Sequence, residues 1–219
     1  MQMEREKAKA EMKAKEWAEK KAAGALDEDM PEDADGQLHN PDGSVFTGPK
    51  DAKKVSLINM VPPISKMDAK LNDLPKCEHL ALSTNSIGAI GNLSALRELK
   101  ILSLSRNNIK AISKLDGLGD TLQQLWMSYN SVEKLDGLSN LRKLRVFYVA
   151  QNNISDVKEF GKLAANKALE ELTAVGNPCY EADPAATRAA IIRLVPTLKI
   201  LDAKRITGEE REESESKQE

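Results

Sequence analysis

The chain repeats a pattern of leucines and one asparagine about every 22 residues. The pattern, L-x-x-L-x-L-x-x-N with modest substitution, begins at positions 77, 99, 122, 144 and 169, so successive starts lie 22, 23, 22 and 25 residues apart. One unit of this length cannot bury its own leucines, whereas stacked units bury them in a continuous core. The repeat therefore predicts a solenoid. The five windows are CEHLALSTN, LKILSLSRN, LQQLWMSYN, LRVFYVAQN and LEELTAVGN.

Each part of the pattern predicts a local structure. The alternating L-x-L indicates a short strand with one buried face, because successive side chains of a strand point to opposite sides. After the asparagine of the first four windows, apolar residues recur at every third position, which favours a 3₁₀ or short α-helical segment. We therefore predict an α/β fold, a leucine-rich-repeat solenoid with a parallel β-sheet on its concave side, a helical or 3₁₀ convex side and a helical C-terminal cap.

The asparagine that ends each window is expected to satisfy backbone groups where the chain leaves the strand. Its side-chain amide both donates and accepts hydrogen bonds, so it can bridge two turns of the solenoid. Stacking of the repeats then predicts a ladder made of Asn85, Asn107, Asn130, Asn152 and Asn177.

Both ends of the solenoid need a cap, and the sequence offers one at each. Upstream, PPISKMDAKLNDLP (62–75) reads as the second half of an incomplete repeat. Downstream, a helix is predicted from about Asp183 to Leu194, with Asp183 as N-cap and Pro184 as first helical residue. A last strand carrying Leu198 and Leu201 follows. With these caps, we predict a repeat domain over residues 55–206.

Three segments lie outside this domain. Residues 1–24 are predicted to form a charged N-terminal helix, either solvated or docked through Trp17. Residues 25–54 are predicted to be an acidic disordered linker, with seven acids and no Lys or Arg between 25 and 48. These acids lack the spacing of a calcium-binding loop. Residues 207–219 are predicted to be an acidic disordered tail.

Composition excludes several partners. The formal net charge is -2, so the chain has no overall attraction to nucleic acid or to an anionic membrane surface. No stretch approaches the roughly 18 apolar residues that a membrane span needs, and the charged N-terminus has no apolar signal region. Cys77 and Cys179 are too few for a disulfide framework and indicate a reducing compartment.

Residues suited to catalysis are scarce. His39 falls in the predicted linker and His79 on a predicted strand, and neither has a Cys or Asp companion suited to nucleophilic chemistry. The cysteines and histidines are too far apart in the chain for a zinc signature. Gly117 forms a lone G-x-G, far weaker than a phosphate-binding fingerprint. We expect a protein that is not an enzyme and uses neither metal nor cofactor.

The concave face is the predicted partner-binding surface. It presents the third, fifth and seventh residues of each window, and among them only Glu171 is formally charged, although 30% of the chain is charged. Trp126 and Tyr148 share the fifth position in adjacent repeats, so their rings should lie about 5 Å apart. Two interpretations stay open, an interface anchored by these rings and rings that only pack on each other. The predicted contacts are Ile101, Arg106, Trp126, Tyr129, Val146 and Tyr148.

A basic group near the C-terminal cap is a second candidate surface. Arg188 and Arg193 on the predicted cap helix are followed by Lys199, Lys204 and Arg205, with only Asp202 among them as an acid. These residues either are simply solvated or contact an acidic surface with a strength that falls with salt. We include Arg188 and Arg193 among the predicted contacts.

Several segments of the chain resemble the leucine-rich-repeat light chains of axonemal outer-arm dynein. The most specific are PPISKMDAKL (62–71) and DTLQQLWMSYNSVEKLDGL (120–138), and the resemblance covers about residues 55–206. It implies a non-catalytic regulatory subunit in the cytoplasm, cytoskeleton and axoneme of a cilium or flagellum. The expected partner is the microtubule-binding region of the dynein heavy chain, with tubulin as a second candidate. The resemblance makes Arg188 and Arg193 candidates for contact with either one. The acidic insertion at 25–48 departs from the family.

Two other functions remain as alternatives. One is a leucine-rich-repeat regulatory subunit of a protein phosphatase. Against it, the five repeats found here make a shorter solenoid than that family is expected to have. The other is a structural subunit of a small nuclear ribonucleoprotein, which would engage a folded RNA-binding protein. An enzyme is the weakest alternative.

Overall fold

The computed structural model describes residues 38–39, 45–46 and 51–216. The chain divides into two units, Met1–Asp51 and Ala52–Glu219. In the first unit, strands β1 (Leu38–His39) and β2 (Val45–Phe46) pair antiparallel. Both strands fall in the segment 25–54 that was predicted to be a disordered linker. The predicted N-terminal helix, 1–24, lies outside the described residues.

The second unit is built on one eight-stranded sheet whose strands follow one another in chain order. The first seven strands are parallel, and the last pairs antiparallel with its neighbour. The five predicted windows supply β4 to β8, which confirms the leucine-rich-repeat solenoid. The strands are β3 (Lys54–Ser56), β4 (His79–Ala81), β5 (Ile101–Ser103), β6 (Gln124–Trp126), β7 (Val146–Tyr148), β8 (Glu171–Thr173), β9 (Ile200–Leu201) and β10 (Lys204–Arg205).

The core lies behind the sheet and is made by the repeated apolar positions. Both the first and the fourth residue of every window are fully buried. Strand alternation turns the fourth away from the concave face, and the first is buried before the strand begins. The apolar residues that follow the asparagine close the core from the other side, as the threefold spacing predicted. In the second repeat these are Ile109, Ile112, Leu115 and Leu118, all buried.

Short 3₁₀ helices form part of the connections on the convex side. The longest, Val157–Ala165, begins after Asp156, whose side chain accepts a hydrogen bond from the Lys158 amide. The others span Ala69–Asp73, Asp116–Leu118 and Pro178–Tyr180. No helix in the described part of the chain is long and apolar enough to span a membrane.

The predicted asparagine ladder is present. In a typical rung, the Asn107 amide nitrogen donates to the carbonyl oxygens of Leu104 in its own repeat and Leu82 in the preceding one, both at 3.0 Å. Its Oδ1 accepts from the Ile87 amide at 3.0 Å. Each rung thus ties two repeats together and satisfies backbone groups that water cannot reach. After the last rung the Asp202 carboxylate satisfies part of the exposed backbone, accepting from the Ala174 amide at 2.7 Å and the Val175 amide at 3.0 Å.

The C-terminal cap contains one predicted helix and one that the sequence did not reveal. Helix α1 (Pro184–Leu194) begins as predicted, with the Asp183 side chain accepting from the Ala186 amide at 2.9 Å. The predicted disordered tail, 207–219, is wrong for most of its length, since Gly208–Ser216 form helix α2. The Thr207 hydroxyl caps α2 by accepting from the Glu210 amide, and side chains of α1 and α2 hydrogen-bond each other.

Candidate functional site

The concave face carries a cluster of three aromatic rings. The Trp126 and Tyr148 rings are stacked, with centroids 6.1 Å apart and an interplanar angle of 18°. His79 meets Trp126 edge-on, with centroids 6.1 Å apart and an angle of 74°. The structure therefore brings together the two rings that the sequence placed in one column. It also adds His79, a third-position residue of the same face that was not among the predicted contacts.

His79 on β4 reaches Trp126 on β6 because the fifth-position residue of the strand between them, β5, is small. Ser103 pairs with Trp126 on one side and with Ala81 on the other, so neither side chain fills the space above β5. The third-position imidazole can then lean across to the fifth-position indole. A column of Ala and Ser beside Trp126 was the sequence signal that could have predicted this contact.

Packing within the aromatic cluster buries only part of the surface of its side chains. Trp126, Tyr148 and their third-position neighbours Ile101 and Val146 are all half-buried, so the rings stack and still keep accessible surface. Trp126 Nε1 and His79 Nε2 are buried without a hydrogen-bond partner in the described structure. An unpartnered buried polar atom costs about 1–3 kcal/mol. This face is therefore not optimised for the stability of the chain alone.

Tyr148 is held in place by the single acid of the face. Its hydroxyl donates to Glu171 Oε1 at 2.7 Å, from one strand to the next. Burial, and then the hydrogen bond to the Glu171 carboxylate and its charge, raise the pKa of Tyr148 to about 12. The phenol thus stays neutral at any ordinary pH, and the hydrogen bond to Glu171 orients its ring.

We expect Tyr148 to ionise at about pH 12 in the folded chain, above the ordinary tyrosine pKa of 10.0. Because folding raises this pKa, the contribution of Tyr148 to stability is complete below pH 10 and is lost as the pH rises to about 12. The alkaline absorbance difference between the wild-type chain and Tyr148→Phe isolates this phenol. A difference midpoint near pH 10 would contradict the hydrogen bond to Glu171.

Arg106 and Tyr129 form the rim of the face beyond the carboxyl ends of the strands. They occupy the eighth position of adjacent repeats, where the backbone is left-handed, with φ of 57° and 59°. The Arg106 guanidinium lies over the Tyr129 ring, 4.3 Å from its centroid. Tyr129 remains 48% exposed, so the rim adds an accessible aromatic ring and a cation beside the apolar cluster.

The opposite edge of the sheet carries ion pairs between second-position residues. Glu78 lies between Lys53 and Lys100, and Glu170 lies between Arg145 and Lys199. Hydrogen bonds from Lys199 and Arg145 lower the pKa of Glu170 to about 2. These pairs were not predicted, although acids and cations recur in the column of second positions. With four cations and two acids this edge keeps a net positive charge, whereas the apolar centre of the face is nearly uncharged.

Arg188 and Arg193 do not join the aromatic cluster. Arg188 donates to Glu210 Oε1 at 2.5 Å and to the Leu201 carbonyl oxygen at 2.6 Å. Arg193 donates to the Ser214 carbonyl oxygen at 3.4 Å. Both predicted contact residues of α1 are therefore engaged by the chain itself, mainly through α2.

Metal-binding clusters and reactive thiols are the last features of the described residues that bear on chemistry. No group of three or more His, Cys, Asp or Glu side chains is placed to hold a metal ion among residues 38–39, 45–46 and 51–216. Cys77 and Cys179 are free, and burial raises the pKa of both thiols, which keeps them protonated and weakly nucleophilic.

Comparison with known proteins identifies close relatives. No family model matches the chain. It is 54% identical to Dynein axonemal light chain 1 of Chlamydomonas reinhardtii over 169 residues, which cover 75% of this chain and 85% of the relative. The protein of the same name from Danio rerio is 57% identical over 171 residues, covering 76% and 88%. The Homo sapiens protein is 54% identical over 169 residues, covering 76% and 89%.

Solved structures support the fold alone. A chain of the Drosophila melanogaster SNF/U2A′ complex aligns with a TM-score of 0.56 at 24% identity, covering 63% of this chain and 79% of that one. An LRR protein of Leptospira interrogans aligns with a TM-score of 0.53 at 22% identity, covering 63% and 34%.

Proposed function

The chain belongs to the dynein axonemal light chain 1 family, and we propose from this premise that it is a non-catalytic regulatory light chain of axonemal outer-arm dynein. Its concave face binds the microtubule-binding region of a dynein heavy chain and thereby tunes ciliary or flagellar motility. The protein acts in the cytoplasm, at the cytoskeleton of the axoneme. Identity above 50% to axonemal light chains favours this function over a phosphatase or ribonucleoprotein subunit.

The observation that carries the proposal is the accessible aromatic cluster on a nearly uncharged face. An aromatic side chain offers about 150–250 Å² of apolar surface, and such rings are the usual anchors of protein interfaces. In a chain with 30% charged residues, a face with one formal charge is distinctive. That charge, Glu171, is engaged by Tyr148.

The proposed interface has an apolar centre and a polar rim. Trp126 and Tyr148 form the centre, and Ile101 and Val146 extend it along the third-position column. Arg106 supplies a charge at the edge. Tyr129, stacked under its guanidinium, widens the aromatic surface. This arrangement is typical of protein interfaces, whose buried centres are depleted in charge and enriched in aromatic residues and Arg.

Regulation in this proposal needs no chemistry from the light chain. A bound protein shifts the balance between two states of a motor domain only as far as its affinities for the two states differ. A rigid solenoid with a preformed aromatic face is suited to this task, because binding costs it little conformational entropy. Tubulin is the second proposed partner, and contact with it through Arg188 and Arg193 of α1 requires that these side chains leave their hydrogen bonds within the chain.

We expect Trp126→Ala combined with Tyr148→Ala to weaken capture of the heavy-chain microtubule-binding region at least about 100-fold, because truncating a central aromatic anchor costs about 2 kcal/mol or more. The measurement is a titration of the purified light chain with a recombinant microtubule-binding region. Urea unfolding of the double variant verifies that the repeat fold persists.

The matched control replaces two exposed residues away from the cluster, Lys134→Ala with Lys158→Ala, and should leave the affinity within about twofold. If the aromatic double variant is folded and binds as tightly as the control, the concave face is not the binding surface. The proposal would then rest on family membership without a located site.

A further inference from the structure

Helix α2 covers a basic part of the C-terminal cap with an acidic segment. Glu210 receives two hydrogen bonds from the Arg188 guanidinium, at 2.5 and 3.2 Å. Arg193 donates to the Ser214 carbonyl oxygen, and Ser214 is 1% exposed. In the other direction, Arg211 donates to the carbonyl oxygens of Pro196 and Leu198. The contact is therefore a set of matched polar groups on two surfaces of the same chain.

No hydrophobic burial by its own side chains holds α2 in this position. Its sequence, GEEREESES, contains five glutamates, one arginine and no apolar side chain. A helix of nine residues is marginal by itself in water, and ion pairs with partly exposed groups contribute at most about 1 kcal/mol each. The side chains of Arg188 and Glu210 are 18% and 31% exposed. The helix is thus stable only while it is docked, and its docking is reversible.

We propose that the surface formed by Arg188, Arg193 and the Pro196–Leu198 carbonyl groups is a binding site for a segment of a partner protein that carries a glutamate followed by a basic residue, and that α2 occupies this site in cis. The Arg188 guanidinium donates two hydrogen bonds to the two oxygens of one carboxylate, an arrangement that suits a glutamate side chain. The Pro196 and Leu198 carbonyl oxygens accept a cation that follows that glutamate. The site therefore fits an acidic helix that carries one basic residue.

Because α2 occupies the proposed site in the same chain, a partner can bind there only after α2 has left it. A tethered segment competes at an effective concentration in the millimolar range, so a partner segment of similar affinity binds only when α2 is displaced. Since the contact is ionic, added salt weakens both the cis and the trans complex. This site is separate from the aromatic face, and the inference does not depend on heavy-chain binding.

The test uses the full-length chain and a labelled synthetic peptide with the sequence of residues 207–219, TGEEREESESKQE. We expect Glu210→Arg, which sets a cation against Arg188, to release α2 and to bind the peptide at least about tenfold more tightly than the wild-type chain. Faster amide hydrogen exchange over residues 208–216 reports the release. The gain should shrink as the salt concentration rises.

Two variants make the test specific. Glu212→Arg changes the net charge by the same amount at an exposed position of the same helix, and it should bind the peptide as the wild type does. Arg188→Glu added to Glu210→Arg restores an ion pair of opposite sense, and amide exchange over residues 208–216 should return to the wild-type level. Equal affinities for Glu210→Arg and Glu212→Arg, with or without faster exchange, would overturn the proposal.

Discussion

Phe147→Ala is expected to destabilise the solenoid by about 3–5 kcal/mol, the range for removing a fully buried phenylalanine. Phe147 is 0% exposed and lies on β7, paired with Leu125 of β6 and Leu172 of β8. Its loss leaves a cavity that the flanking repeats cannot fill, because each repeat is fixed by hydrogen bonds on both sides. Urea unfolding monitored by circular dichroism measures the change.

Val175→Ala is the control for this substitution. Val175 is 47% exposed, at the seventh position of the last repeat, so its truncation should change stability by about 0.5 kcal/mol or less. A cost below about 1 kcal/mol for Phe147→Ala would mean that the core behind the aromatic face is not packed as described.

Asn152→Ala is expected to cost about 2–4 kcal/mol, because it removes one rung of the asparagine ladder and leaves several buried backbone groups without partners. Its amide nitrogen donates to the Met127 and Val149 carbonyl oxygens at 3.0 Å, and its Oδ1 accepts from the Val132 amide at 2.9 Å. Asn152 is 4% exposed, so water cannot replace these bonds.

The adjacent Asn153 is the matched control, since it is the same residue type but exposed. Asn153→Ala should change stability by about 0.5 kcal/mol or less. Amide exchange at Val132 should rise in Asn152→Ala and stay unchanged in Asn153→Ala. Equal costs for the two substitutions would show that the ladder does not stabilise the fold.

The repeat windows predicted β4 to β8 because one physical rule produces both pattern and structure. An apolar residue at the fourth position must be buried, and the strand centred on it then has only one possible register. β3 escaped this rule, since Ala52 and Met60 stand where the other repeats carry Leu or Cys and Asn. Only pairing with β4 identifies Lys54–Ser56 as a strand.

Helix α2 could not be predicted from hydrophobic periodicity, since it has no apolar residue to count. Its order comes from contacts with α1 between residues 22 apart in the chain, such as Arg188 with Glu210. In the candidate site, the column that holds Trp126 and Tyr148 followed from the repeat register. The His79 contact and the Tyr148–Glu171 hydrogen bond did not, because they depend on side-chain rotamers that a pattern of residue types does not fix.

The two end strands of the sheet have a consequence for self-association. β3 is preceded by Lys53 and begins with Lys54, and β10 consists of Lys204 and Arg205. Copies of the solenoid that met end to end in the same orientation, or in opposite orientations, would therefore set cations against cations at each junction. Lysines on edge strands are a known safeguard against uncontrolled strand pairing. The repeat stack is thus protected from growing into a fibre, and its aromatic face remains available to a different protein.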